Sequence, residues 1–151
     1  MDVILTAAVT INGMIARNSK ETVSWSVDLP LFRKQTMGQT VIVGSNTETT
    51  LATELDGREM IIMHRNMDPK TVLSEVKTEK CFIIGGAHTY SRFASHLTHI
   101  FVTPHPQIFP NGSVPLFSSL TEEMSLVFER RVVVDKSRGI FQHQYQVLSI
   151  D

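Results

Sequence analysis

Five short apolar runs set the architecture of this chain. They are "VILTAAV" (3–9), "TVIVG" (40–44), "REMIIMH" (58–64), "KCFIIGG" (80–86) and "HIFVT" (99–103). Each reads as a strand, and the near-continuous apolar run 3–9 is what a strand buried on both faces requires. The segments between them read as helices or polar loops. Strands alternating with helices specify an α/β domain with a mostly parallel central sheet flanked by helices. The C-terminal segment differs: "MSLVFERRVVVD" and "IFQHQYQVLSI" predict an antiparallel strand pair at the edge. With 151 residues and no repeat or linker, a single domain spanning 1–151 is expected.

Local signals place the connecting elements. Asn12 and Gly13 turn the chain after the first strand, and residues 17–24 form a polar loop. A helix is predicted from residue 29 to near Gly38, with Ser26 or Asp28 as cap and Pro30 in its first turn. Leu29, Phe32 and Thr36 then share one face. "SNTETT" opens a short helix, and residues 67–77 form another with Asp68 as cap and Pro69 at its first position. Residues 87–97 are predicted helical, and Asn111 with Gly112 marks a further turn.

Composition narrows the function classes. Fourteen basic residues against fifteen acidic ones argue against a nucleic-acid or membrane-surface binder. The one cysteine, Cys81, excludes a disulfide framework and reads as a buried, inert thiol. No apolar run approaches the roughly 18 residues of a membrane span. "MDVILTAAVT" reads as a first strand and not as a signal peptide, so a cytoplasmic protein is expected. The six histidines are scattered and read as solvated surface side chains; His96 and His99 have no evident third ligand, so no metal site is expected.

Ligands of open α/β sheets bind beyond the carboxyl ends of the strands. That rule directs attention to residues 10–13, 44–47, 64–65, 85–86 and 103. "IIGGAHTY" puts two glycines between a buried strand and a helix, where backbone can approach a phosphate. "VIVGSNT" repeats the arrangement, and two such junctions suggest a phosphate-bearing ligand held at two places. The G-x-G-x-x-G fingerprint is absent. Asp28 in "SWSVDLPLFRK" has apolar nearest neighbours and carries two readings. It is either a first-turn acid meeting the helix dipole, or a pocket carboxylate that receives a planar pair of N–H donors.

At this point the residues resemble a family. "TAAVTINGMIA", "W…DLPLFRKQT", "VIVGSNTETTLATELDGR", "FIIGGAHTYSRF" and "IFVTPHP" appear in the order and at nearly the spacing of dihydrofolate reductases. The wider superfamily includes the riboflavin-pathway reductase domain. The resemblance implies an NADPH-dependent oxidoreductase that reduces 7,8-dihydrofolate for one-carbon metabolism. It implies that Asp28 binds the pterin 2-amino group and N3, that Thr103 supports the carboxylate, and that Trp25 orders a water beside it. Thr6, Ala7, Leu29, Phe32, Leu51, Leu55 and Ile84 would line the substrate slot. Arg58 would pair with the substrate's α-carboxylate. Ala8 and Ile15 would meet the nicotinamide, with Tyr90 beside it. Gly44, Ser45, Asn46 and Thr47 would hold the cofactor's phosphates with Gly85, Gly86, Ala87, His88 and Thr89. The Gly85–Gly86 peptide would be cis. A proton would reach N5 from water, leaving Asp28 a binding and electrostatic role.

Three features depart from the family pattern. Ser45 stands where many relatives have a basic residue for the cofactor's 2′-phosphate, and His64 and Arg65 are the candidate replacements. The loop before Trp25 is two residues longer than in the typical bacterial enzyme. The Trp25–Asp28 spacing is two shorter. "INGMIA" and the short "WSVD" lean toward the riboflavin-pathway branch, whereas Arg58 and the Asp28–Thr103 pair favour folate. A related reductase of a phosphorylated ribosylamino-pyrimidine and a non-catalytic nucleotide-binding relative are the alternatives.

Overall fold

The computed structural model describes residues 1–21, 25–45 and 56–148. In chain order they form β1 (Asp2–Thr10), β2 (Met14–Ala16), α1 (Leu29–Thr36), β3 (Thr40–Gly44) and β4 (Glu59–Met63). They continue as α2 (Pro69–Ser74), β5 (Lys80–Ile83), α3 (Ala87–Phe93), β6 (His99–His105), β7 (Val114–Pro115), β8 (Leu126–Asp135) and β9 (Ile140–Val147). Seven strands make one sheet in the order β4-β3-β5-β1-β6-β9-β8. The β4–β3, β3–β5, β5–β1 and β1–β6 pairs are parallel, whereas β6–β9 and β9–β8 are antiparallel. The α/β class, the parallel centre and the antiparallel C-terminal pair agree with the sequence reading.

The central strands β1, β3 and β5 are largely buried, whereas β8 at the edge is mostly exposed, and side chains sort by a period of two. Val3, Leu5, Ala7 and Val9 of β1 join Val72, Tyr90, Phe93 and Leu97 in one core cluster. Ile4 turns the other way and meets Val41, Val43, Phe82, Ile84 and the half-buried Phe32 of α1. α1 is fixed to this second face by amides as well as apolar contact. Gln35 Nε2 donates to Gln142 Oε1 at 2.7 Å and Gln142 Nε2 returns a bond of 3.1 Å. Gln144 Nε2 adds a bond of 2.9 Å to Gln142 Oε1, so these buried amides are matched and not stranded.

Several boundaries move. Helix 67–77 shrinks to α2, because Glu75 N–H bonds Val72 O and Val76 N–H bonds Leu73 O, three residues back, so the winding tightens and ends. The 87–97 helix divides into α3 and a 3₁₀ turn at Ala94–His96. β6 runs two residues past Thr103, to His105. The small β2–β7 pair was not expected; it joins segments about a hundred residues apart. The predicted helix after Ser45 lies outside the described residues, and Ser45 itself is exposed.

Candidate active site

The carboxyl ends of the parallel strands align across the sheet. Ala8 of β1 is in register with Thr103 of β6, and Gly44 of β3 with Met63 of β4. Past the end of β5, Ile84 N–H donates to Ile42 O at 2.9 Å, and Gly44 N–H donates to Gly85 O at 2.7 Å. The two glycine junctions therefore form one continuous surface. Gly85 has φ +121°, a conformation that a Cβ disfavours, and the Gly85–Gly86 peptide is cis, as the family resemblance implied. A Cβ on Gly44 would fall 2.6 Å from Thr89 Oγ1 and 3.4 Å from Gly85 O. Only a residue without a Cβ lets the end of β3 pack this closely on Thr89 and the Gly85–Gly86 junction. Ala87 and Thr89 are buried under this junction, whereas His88 is exposed. Such a cradle fits a phosphate-bearing cofactor.

Tyr90 lies behind the junction. Its hydroxyl donates to Thr6 O at 2.8 Å in a buried bond. Burial, with a smaller contribution from the Asp28 charge, raises its phenol above the ordinary tyrosine range. Ala7 belongs to the same core cluster as Tyr90, and Ile15 packs against it. Phe32 and Ile84 meet in the other cluster, so two residues expected in the slot are brought together, with Leu29 half-buried on α1.

Asp28 occupies the N-cap position of α1 but makes no capping hydrogen bond. Two local causes are visible. Its backbone, at φ −93° and ψ 6°, is not the extended conformation that aims a cap side chain at the helix. Pro30, two residues on, also offers no N–H. Asp68 provides the contrast. At φ −97° and ψ 125° it accepts from Thr71 N–H at 3.1 Å, and that bond holds its carboxyl below the usual range. Ser26 is likewise not the cap, so of the expected caps Asp68 caps its helix and Asp28 does not.

Two buried polar atoms near this segment have no hydrogen-bond partner among the described residues: Trp25 Nε1 and Thr103 Oγ1. The Trp25 ring stands edge-on to His105 at 5.1 Å and to Phe109 at 5.2 Å between centroids. His105 corrects the reading of the histidines as solvated, because it is fully buried. Its Nε2 accepts from Val27 N–H at 3.1 Å, and its Nδ1 lies 2.8 Å from Thr103 O. Strand alternation was the available signal, since Phe101, Thr103 and His105 project from the same side of β6.

Arg58 precedes β4 and is already tied into the protein. Its Nε donates to Thr36 Oγ1 at 2.8 Å, Nη2 to Arg33 O at 2.6 Å and Nη1 to Asp56 O at 2.5 Å. A guanidinium has five N–H groups, so among the described residues two have no partner. His64 and Arg65 are both exposed beyond β4. Their loop is braced by Arg92, whose Nη1 donates to His64 O at 3.0 Å and whose Nη2 donates to Met67 O. Asn46, Thr47, Leu51 and Leu55 lie outside the described residues.

Comparison with known proteins bears on this geometry. A chain-length similarity links the protein to the dihydrofolate reductase of Buchnera aphidicola subsp. Baizongia pistaciae, 21% identical and covering 98% of each chain. Dihydrofolate reductase type 8 of Escherichia coli is 29% identical over 64% of this chain and 69% of its own. Among solved structures, a dihydrofolate reductase from Enterococcus faecalis complexed with NADP(H) and RAB-propyl superposes with a TM-score of 0.73. That match covers 97% of this chain and 96% of the other at 18% identity, so it speaks for the fold. The profile of the family described as dihydrofolate reductase matches residues 2–140, and the chain belongs to that family.

Proposed function

We propose that the protein reduces 7,8-dihydrofolate to 5,6,7,8-tetrahydrofolate with NADPH, by hydride transfer to pterin C6. The observation that carries this reading is the uncommitted polar set at the mouth of the sheet. Asp28 does not cap its helix, and Trp25 Nε1 and Thr103 Oγ1 are buried without partners among the described residues. Groups left in that condition are costly unless a ligand or its waters use them.

Asp28 accepts the 2-amino group and N3 of the pterin, a two-donor edge suited to a carboxylate. Its negative charge favours protonation of the substrate, while the proton itself reaches N5 from water. Thr103 donates to Asp28, and Trp25 Nε1 orders a water beside it. Thr6, Ala7, Leu29, Phe32, Leu51, Leu55 and Ile84 enclose the flat ring. The slot aligns the two rings and excludes bulk water. The two spare N–H groups of Arg58 hold the substrate's α-carboxylate.

NADPH, when bound, supplies the hydride. Gly44, Ser45, Asn46 and Thr47 with Gly85, Gly86, Ala87, His88 and Thr89 hold its phosphates, and Ala8, Ile15 and Tyr90 border its nicotinamide. His64 and Arg65, beside Ser45 at the strand ends, take the 2′-phosphate. The chain acts as one domain, 1–151, in the cytoplasm. Among the described residues no helix is long and apolar enough to cross a membrane. The test is the loss of NADPH absorbance with dihydrofolate as substrate. Turnover of a phosphorylated ribosylamino-pyrimidine instead, or cofactor binding with no turnover of either, overturns the reading.

A further inference from the structure

We propose that His105 is the positioning residue for the acid-bearing segment, a tether that fixes residues 25–28 to β6 through the N–H of Val27. The argument starts from donor and acceptor roles. Val27 N–H points at His105 Nε2 across 3.1 Å, so Nε2 carries a lone pair and no proton. The other ring nitrogen faces Thr103 O at 2.8 Å, and a carbonyl only accepts. Only the neutral Nδ1–H tautomer satisfies both partners; the ring is fully buried, its bond to Thr103 O is buried and its bond from Val27 is partly so.

The same ring meets Trp25 edge-on at 5.1 Å. One side chain therefore contacts Trp25, Val27 and Thr103, three residues on two segments. Asp28 is the next residue after Val27, and its backbone begins α1, with its carbonyl accepting from Phe32 N–H at 3.0 Å. With no cap bond of its own, the Asp28 carboxylate is aimed by the backbone on either side of it. α1 fixes one side and His105 the other. This tether suits the short Trp25–Asp28 spacing, where a three-residue step leaves little chain to absorb a displacement.

The proposal rests on Asp28 as the pterin-binding acid, and the experiment separates the two ideas. His105→Gln keeps an acceptor near the place of Nε2, whereas His105→Asn keeps a donor near the place of Nδ1 and loses reach to Val27. The probe is a 2,4-diaminopteridine, which carries the donor edge without needing turnover, with NADPH as the reference ligand. His105→Asn should weaken the diaminopteridine by about tenfold, the loss of one buried hydrogen bond, with NADPH affinity unchanged. His105→Gln should stay within about threefold of the parent protein. In the unsubstituted protein, ¹⁵N NMR should find the Nδ1–H tautomer, and Val27 amide exchange should accelerate in the Asn variant but not in the Gln variant. An Nε2–H tautomer, equal diaminopteridine affinities in all three proteins, or a parallel loss of NADPH binding would overturn the tether. A parent protein that binds no diaminopteridine defeats the folate reading instead. In that event the tautomer and the Val27 exchange rates still decide the role of His105.

Discussion

The Gly44 N–H and the Gly85 carbonyl are joined by a 2.7 Å hydrogen bond that ties the end of β3 to the glycine turn after β5. Gly44→Ala tests how closely that junction is built. Its Cβ would fall 2.6 Å from Thr89 Oγ1, so Thr89 or the backbone must move. Thermal or urea denaturation should show a loss of about 1–3 kcal/mol, the usual cost of overpacking. Fluorescence titration should show weaker NADPH binding. Parent-like values of both would mean that the junction is looser than the structure shows.

Arg58 is a structural group with a proposed binding role, and the two parts can be separated. Its three bonds to Thr36, Arg33 and Asp56 mean that Arg58→Ala should lower stability, by about 1 kcal/mol for each bond lost. The binding part is read by substrate choice. The parent enzyme should have a lower KM for dihydrofolate than for dihydropteroate, which lacks the glutamate. Arg58→Lys should reduce that preference, because an ammonium cannot reproduce the planar fork. Equal KM values for both substrates in the parent enzyme would remove Arg58 from the binding role.

Asp28→Asn keeps the side-chain shape and deletes the charge. With dihydrofolate, kcat/KM at neutral pH should fall on the order of 10²–10³-fold, as when one preorganised electrostatic group is removed. Circular dichroism and NADPH affinity should be unchanged, since Asp28 makes no cap bond that the fold depends on. A variant that is unstable yet catalytically normal per folded molecule would restore the helix-start reading.

The sheet was legible because its central parallel strands are largely buried, which leaves unbroken apolar runs such as residues 40–44. The Asp68 cap was legible for a local reason: everything it needs lies within three residues. Asp28 carries a similar Asp-and-proline signal, but its proline stands two residues on. Asp68 directly precedes Pro69 and is thereby biased to the extended ψ that a cap needs; the two differ in ψ by more than a hundred degrees. His105 was misread because its burial depends on Trp25 and Val27, roughly eighty residues away. The β2–β7 pair was missed because two or three residues are too few to show a period.

Thr103→Val separates binding from stability in the opposite sense to Arg58. Thr103 Oγ1 is buried without a partner among the described residues, so its removal relieves an unmet polar group. Stability should hold or rise by about 1 kcal/mol in urea denaturation. KM for dihydrofolate should rise several-fold if the hydroxyl supports Asp28 in the complex, as proposed. A loss of stability with an unchanged KM would show that the hydroxyl serves the fold.

The alkaline limit of stability follows from Cys81. Burial pushes its thiol up from the ordinary 9.0 to about 12. Between those values the unfolded chain loses the thiol proton and the folded chain keeps it, so the unfolded state binds fewer protons. Stability must then fall as pH rises through this window, by up to about 1.4 kcal/mol per pH unit, and Cys81 adds no pH dependence below it. Tyr90, raised above its ordinary 10.0 by burial and by Asp28, steepens the fall from there upward. Cys81→Ala should flatten the profile between pH 9 and 10 while leaving the steeper Tyr90 limb above it. Urea midpoints measured at intervals from pH 7.5 to 10.5 give the comparison. Identical slopes in the two proteins between pH 9 and 10 would show that the thiol is not held neutral by the core.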